Sequence, residues 1–153
     1  MIYGGSVGGS LAIETAAQTS IAAVVSGEPA SDIWMGPELK GKEIRTFGNY
    51  DVFPSYYTEE VKSFVRSLLD RIDCPFLLLH GDPTGFRTTD YMYVMRELTE
   101  LGKRAKSIGY GGYQHGFYWG MGTRQMTGQE LDEVIEDTHT FILPHLKTKP
   151  KPL

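Results

Sequence analysis

Two rhythms of apolar and polar positions run along the chain. In the first, Val61, Phe64, Val65, Leu68, Leu69 and Ile72 fall three and four residues apart. That spacing predicts an amphipathic helix with one buried stripe. Thr58 supplies a hydroxyl cap for its start, and Glu59 and Glu60 put acids at its positive end. The second rhythm is a run that does not alternate. Pro75 opens Phe76-Leu77-Leu78-Leu79-His80, apolar throughout, as a strand buried on both faces of a parallel sheet should be. A further helix is predicted from about Thr89 to Leu101, stopped by Gly102, and a weaker strand from Ala105 to Tyr110. The last helix begins near Gln129. It carries Leu131, Val134, Ile135, Phe141 and Ile142 on one face, and Glu130, Asp132 and Glu133 crowd its N-terminal end. Earlier in the chain, Met1 to Tyr3 reads as a short strand running into a glycine turn. Leu11, Ala12 and Ala16 give Val7 to about Thr19 a helical spacing, and Ile21 to Val25 is a short β-rich run. Gly27 to Tyr57 reads as irregular, broken by Pro29, Pro37 and Pro54.

Strand and helix therefore alternate, which predicts an α/β fold: three α/β/α layers around a mostly parallel sheet. Right-handed crossovers are expected to place helices on both faces. The length of 153 residues suits one domain, here residues 1–146, followed by a Lys/Pro-rich tail at residues 147–153. Composition adds exclusions. The single cysteine, Cys74, rules out an internal disulfide or a multi-cysteine zinc site. No apolar run approaches the ~20 residues of a membrane span. The net charge of −4 argues against nucleic acid as the main partner. The first 25 residues lack the basic segment of a secretory signal, so the reading is cytoplasmic.

Candidate chemistry centres on Gly4-Gly5-Ser6-Val7-Gly8-Gly9, which contains G-x-S-x-G at Gly4, Ser6 and Gly8. It lies between a strand end and a helix start, the context a nucleophile turn requires. Small neighbours let a sharp turn close around the serine. The helix N-terminus then aims N–H groups and a positive dipole end at a developing oxyanion, with the Val7 amide as one donor. A glycine turn that holds a phosphate is the plainer alternative. It lacks the lysine of a P-loop, and its glycines do not fit G-x-G-x-x-G.

Three further segments extend the pattern. An apolar strand ends in His80-Gly81, a helix ends in Leu98 to Gly102, and a loop carries His115-Gly116-Phe117. With Gly4 to Gly9, these four pieces resemble the α/β-hydrolase superfamily, most closely its prolyl oligopeptidase and acylaminoacyl-peptidase-like branch, in the family's order. The resemblance runs from Met1 to about His145. It implies that Ser6 is a nucleophile and His115 its general base. It implies no metal and no organic cofactor. The acid departs from the pattern, because Thr84 stands where the family places it. Asp82 ranks slightly ahead of Glu28 as its replacement, and a site without an acid is the third reading. The other histidines carry less: His80 closes a buried strand, and His139 and His145, six residues apart, do not share a helix face.

Only Met1-Ile2-Tyr3 precede the turn, whereas a whole hydrolase domain of this kind resembles a chain of well over ~200 residues. The expectation is the C-terminal half of the fold: a fragment, a truncated reading frame, or a subunit completed by a homodimer or complementing chain at its first strand. The leading functional expectation is a serine hydrolase of small esters or peptides acting through an acyl-enzyme on Ser6. The alternative is an inactive hydrolase-like half-domain used in association. Trp34, Phe53, Tyr56 and Tyr57 are candidates for a small cap over the site.

Overall fold

Strands and helices alternate through the computed structural model, which describes residues 1–29, 59–82, 88–120 and 124–146. β1 (Ile2–Gly5) leads into α1 (Val7–Gln18) and β2 (Val24–Gly27). Then come α2 (Glu59–Asp70), β3 (Phe76–His80), α3 (Thr88–Glu100) and β4 (Ala105–Gly109). A 3-10 turn at Phe117–Trp119 precedes α4 (Gly128–Ile142), which ends in a second such turn at Leu143–His145.

The strands form one sheet in the order β1-β2-β3-β4, and every pair is parallel. Ile2 stands opposite Val24, Val24 opposite Phe76, and Phe76 opposite Ala105. That register aligns the C-terminal ends of the strands. In an open parallel sheet, sites are built at that end.

Side chains of the central strands alternate between two cores. Val24, Phe76 and Leu78 face one core, which α1, α2 and α3 close with Ile13, Leu69 and Leu98. Val25, Leu77 and Leu79 face the other, with Tyr113, Phe117 and Val134 of α4. Each central leucine is fully buried, and burying such a side chain contributes about 1.5–3 kcal/mol. The three-layer expectation holds, with an uneven division of helices. Successive strands step in one direction across the sheet, so right-handed crossovers put α1, α2 and α3 on the same face. Among the described helices α4 alone covers the other.

Two elements shift from their sequence positions. β2 begins at Val24 rather than Ile21, because pairing starts where the Val24 N–H reaches the Pro75 carbonyl at 2.9 Å. It runs on through Ser26 and Gly27, whose small size admits α1 on one side and Tyr118 on the other. The apolar stripes are also narrower than their periodicity suggests: Phe64 of α2 and Ile135 of α4 stay exposed. Thr58, the cap-candidate aromatics Trp34, Phe53, Tyr56 and Tyr57, and the tail 147–153 lie outside the described residues. Among the described residues, no helix is long and apolar enough to cross a membrane.

Candidate active site

The site starts from a backbone that cannot carry larger side chains. Ser6 sits between β1 and α1 with φ 54° and ψ −122°, a left-handed conformation that costs a non-glycine residue about 1–3 kcal/mol. Neighbouring contacts hold it there. The Ser6 N–H donates to the Gly27 carbonyl at 2.8 Å, and the Ser6 carbonyl accepts from Gly9 at 2.9 Å. A Cβ on Gly4 would lie 2.0 Å from the Gly8 carbonyl oxygen, so the turn closes only over glycine. Gly9 is likewise hemmed in by Ser26, Gly27 and Pro29, whereas a Cβ on Gly8 would meet open space.

Ser6 occupies the N-cap position of α1, yet its side chain caps nothing. Its Oγ lies 3.1 Å from His115 Nε2 instead. The Val7 amide opens the helix, where N–H groups have no intrahelical partner. As the first residue of α1 it is a backbone donor of the type an oxyanion needs.

His115 lies in the loop after β4. On its far side, Nδ1 is 3.5 Å from Glu28 Oε2. A carboxylate beside Nδ1 favours the tautomer with the proton on Nδ1, which leaves Nε2 to accept from Ser6. Glu28 follows β2 in a left-handed conformation, φ 45°, fixed by a 2.8 Å bond from its N–H to the Leu79 carbonyl. Its side chain is 2 % exposed and that of His115 17 %. The carboxylate is not left bare: Oε1 accepts from the Gly81 amide at 3.0 Å and Oε2 from the Gly116 amide at 2.5 Å. Burial pushes the Glu28 carboxyl up from its ordinary value, and those two amide bonds pull part of the way back.

The structure thus brings together Ser6, His115 and Glu28. It sends Asp82 elsewhere. Asp82 Oδ2 accepts from the Gly112 amide at 2.7 Å, and the Asp82 N–H donates to the Tyr113 carbonyl. The ranking of Asp82 ahead of Glu28 is reversed in space, because the tight turn at Gly111–Gly112 claims Asp82 while β2 ends facing the His115 loop. Thr84 lies outside the described residues. His80 Nδ1 bonds the Gly81 carbonyl at 2.7 Å, and its ring stacks on Tyr91. His139 and His145 belong to the end of α4 and the turn after it. Among the described residues, no trio of His, Cys, Asp or Glu converges as a metal site. Gly81 and Gly116 hold Glu28 through their backbones, and the only sequence signal for them is the glycine of each His-Gly pair.

No family model and no curated protein sequence matches the chain. Solved structures do. A puromycin-hydrolyzing peptidase of Mycobacterium tuberculosis superposes with a TM-score of 0.64 at 21% identity, over 99% of this chain and 22% of that one. The acylaminoacyl peptidase of Pyrococcus horikoshii gives 0.63 at 16% identity, over 99% and 25%. A monoacylglycerol lipase of Paleococcus ferrophilus gives 0.60 at 17% identity, over 94% and 67%. The chain thus spans about a quarter or less of the two peptidases. Their shared architecture, together with the parallel sheet and the turn at Ser6, shows that this chain has the α/β-hydrolase fold.

Proposed function

We propose that the chain is a serine hydrolase of carboxylic esters or peptide-like amides. The observation that carries the reading is the alignment of Ser6 Oγ, His115 and Glu28, with successive contacts at 3.1 and 3.5 Å. In it, Ser6 attacks the substrate carbonyl while His115 Nε2 takes its proton. The Val7 amide, at the positive end of α1, stabilises the oxyanion. His115 returns the proton to the leaving alcohol or amine, leaving an acyl group on Ser6. Water then attacks that ester, with His115 again as base. Glu28 orients the imidazole and stabilises its protonated form. The peptidases and lipase that share the fold support this reaction class and leave ester or amide open.

We also propose that another strand pairs with β1, from a second copy or a complementing chain. Among the described residues β1 bonds only to β2, and Tyr3 on it is exposed. An open strand edge is a template for such pairing. Light scattering on the purified chain tests this, and a strictly monomeric particle at all concentrations argues against it.

The test of the hydrolase reading is covalent labelling. A fluorophosphonate should modify Ser6 in the parent chain, with the site identified by peptide mass spectrometry, and Ser6→Ala should not label. Equal labelling of both proteins removes Ser6 from the nucleophile role.

A further inference from the structure

The relay joins residues from three separate segments, and one side chain touches the backbone of two of them. Tyr118 lies three residues beyond His115, in the 3-10 turn that Gly116 and Gly120 bracket with φ of 79° and 71°. The turn is anchored from below by Phe117, which is fully buried among Val25, Leu77 and Leu79. Tyr118 stands edge-on to Phe117 at 4.8 Å and to Trp119 at 4.7 Å. Its tip rests on Gly27, the residue immediately before Glu28. A Cβ there would lie 1.9 Å from the Tyr118 hydroxyl and 2.7 Å from its Cζ. The same hydroxyl would lie 2.5 Å from a Cβ on Gly5, the residue immediately before Ser6, where Trp119 approaches to 2.1 Å. The hydroxyl is sealed from solvent. It faces the Tyr3 phenol without the geometry of a formed hydrogen bond. A buried phenol left without a good partner costs free energy, and the ring packs against Phe117, Trp119 and the two glycines.

We propose that Tyr118 is a positioning residue of this site, a spacer keyed into Gly5 and Gly27 that sets the separation of the Ser6 turn, the Glu28 turn and the His115 loop. The inference rests on the hydrolase reading for its kinetic consequence, though not for its geometry. Glu28 ties the His115 loop down through Gly116, and Tyr118 sets how close that loop can come. A hydrogen bond alone does not fix the approach of two backbones, whereas van der Waals contact with a rigid ring does. The absence of side chains at positions 5 and 27 is the other half of the device.

The experiment compares the parent chain with Tyr118→Phe, Tyr118→Ala, Gly27→Ala and the double variant Gly27→Ala/Tyr118→Ala. Two quantities are read: the rate of fluorophosphonate labelling at Ser6, and the downfield Nδ1–H proton resonance of His115 in histidine-labelled protein, assigned by its loss in His115→Gln. Tyr118→Phe keeps the ring and should keep both signals. Tyr118→Ala should label about 10²-fold more slowly, the loss that follows from ~1 Å of misplacement, and should lose or broaden the resonance. Gly27→Ala should show the same loss from the opposite side, and the double variant should recover part of it. Recovery is the result that a merely structural role does not produce. A folded Tyr118→Ala that keeps the parent rate and resonance overturns the proposal. If Tyr118→Ala does not fold, Gly27→Ala decides: full labelling and an unchanged resonance there also overturn it. If the parent chain does not label, the hydrolase reading fails while the resonance still decides the positioning role.

Discussion

Replacing Glu28 by glutamine separates the two candidate acids. The change keeps the side-chain volume and removes the charge. In the parent, Oε1 and Oε2 each accept an amide N–H, from Gly81 and Gly116, and Oε2 also faces His115 Nδ1. Glutamine has one acceptor oxygen, so in either orientation its NH2 group faces an N–H donor. The folded state then loses about 1–3 kcal/mol for the amide left without an acceptor, offset by no longer burying a charge. The kinetic cost is larger. Neutralising the carboxylate behind a catalytic histidine costs up to about 10⁴-fold. The 3.5 Å contact is longer than a formed hydrogen bond, so the range set here is about 10²- to 10⁴-fold, or about 3–5.5 kcal/mol of barrier. Asp82→Asn provides the contrast: it weakens one loop contact to Gly112 and costs stability of about 1 kcal/mol with little change in rate. The assay is fluorophosphonate labelling at Ser6, followed by intact mass at neutral pH and well below the melting midpoint of every variant. Slow labelling of Glu28→Gln with near-parent labelling of Asp82→Asn is expected. The reverse pattern refutes Glu28 as the relay acid.

Gly4→Ala is expected to abolish both folding and labelling, because its Cβ would lie 2.0 Å from a backbone oxygen. Gly8→Ala meets no neighbour and should raise stability by about 0.5–1 kcal/mol at a helical position, read as an increase in melting midpoint. Thr127→Ala breaks the reciprocal cap with Glu130 at the start of α4 and should cost about 1 kcal/mol, measured by urea unfolding. The raised Glu28 pKa gives a pH dependence with a definite sign. The folded chain holds this proton more tightly than the unfolded chain, whose value is near the ordinary 4.5. Glu28 therefore contributes a fall in stability as pH rises from 4.5 through its folded value, and a plateau above. Urea unfolding of the parent between about pH 4 and pH 8 should show this fall and Glu28→Gln should lack it. Parallel pH curves for the two proteins contradict the burial argument.

The position of the relay on the fold explains why its members tolerate awkward backbones. Ser6 and Glu28 both have positive φ without being glycine, and each lies at the C-terminal end of a parallel strand. Behind Glu28, β2 is buried between the two cores, and behind Ser6 the turn is packed against Gly27 and closed over Gly4 and Gly8. That packing offsets the conformational cost at the ends, and strain of this kind collects where a rigid scaffold over-determines the backbone.

The sequence already carries the alternation of elements, because helix and parallel-strand periods are local properties of the chain. Phe76–His80 and the run through Leu68 and Leu69 declare themselves without reference to anything distant. It also determined Ser6 and His115 as candidates, since a glycine-flanked serine and a His-Gly-Phe loop are short, contiguous patterns. Which carboxylate faces His115 was a matter for the tertiary structure. Asp82 and Glu28 each follow a strand, and nothing within a few residues of either tells which one faces a histidine far along the chain. The parallel register of β2 against β3 decides it, carrying Glu28 to the level of Gly81 and the His115 loop, while the turn at Gly112 takes Asp82. Tyr118 was equally invisible: in the sequence it is one aromatic in an aromatic loop. Its meaning comes from two glycines more than ninety positions earlier, and only folding places them under its ring.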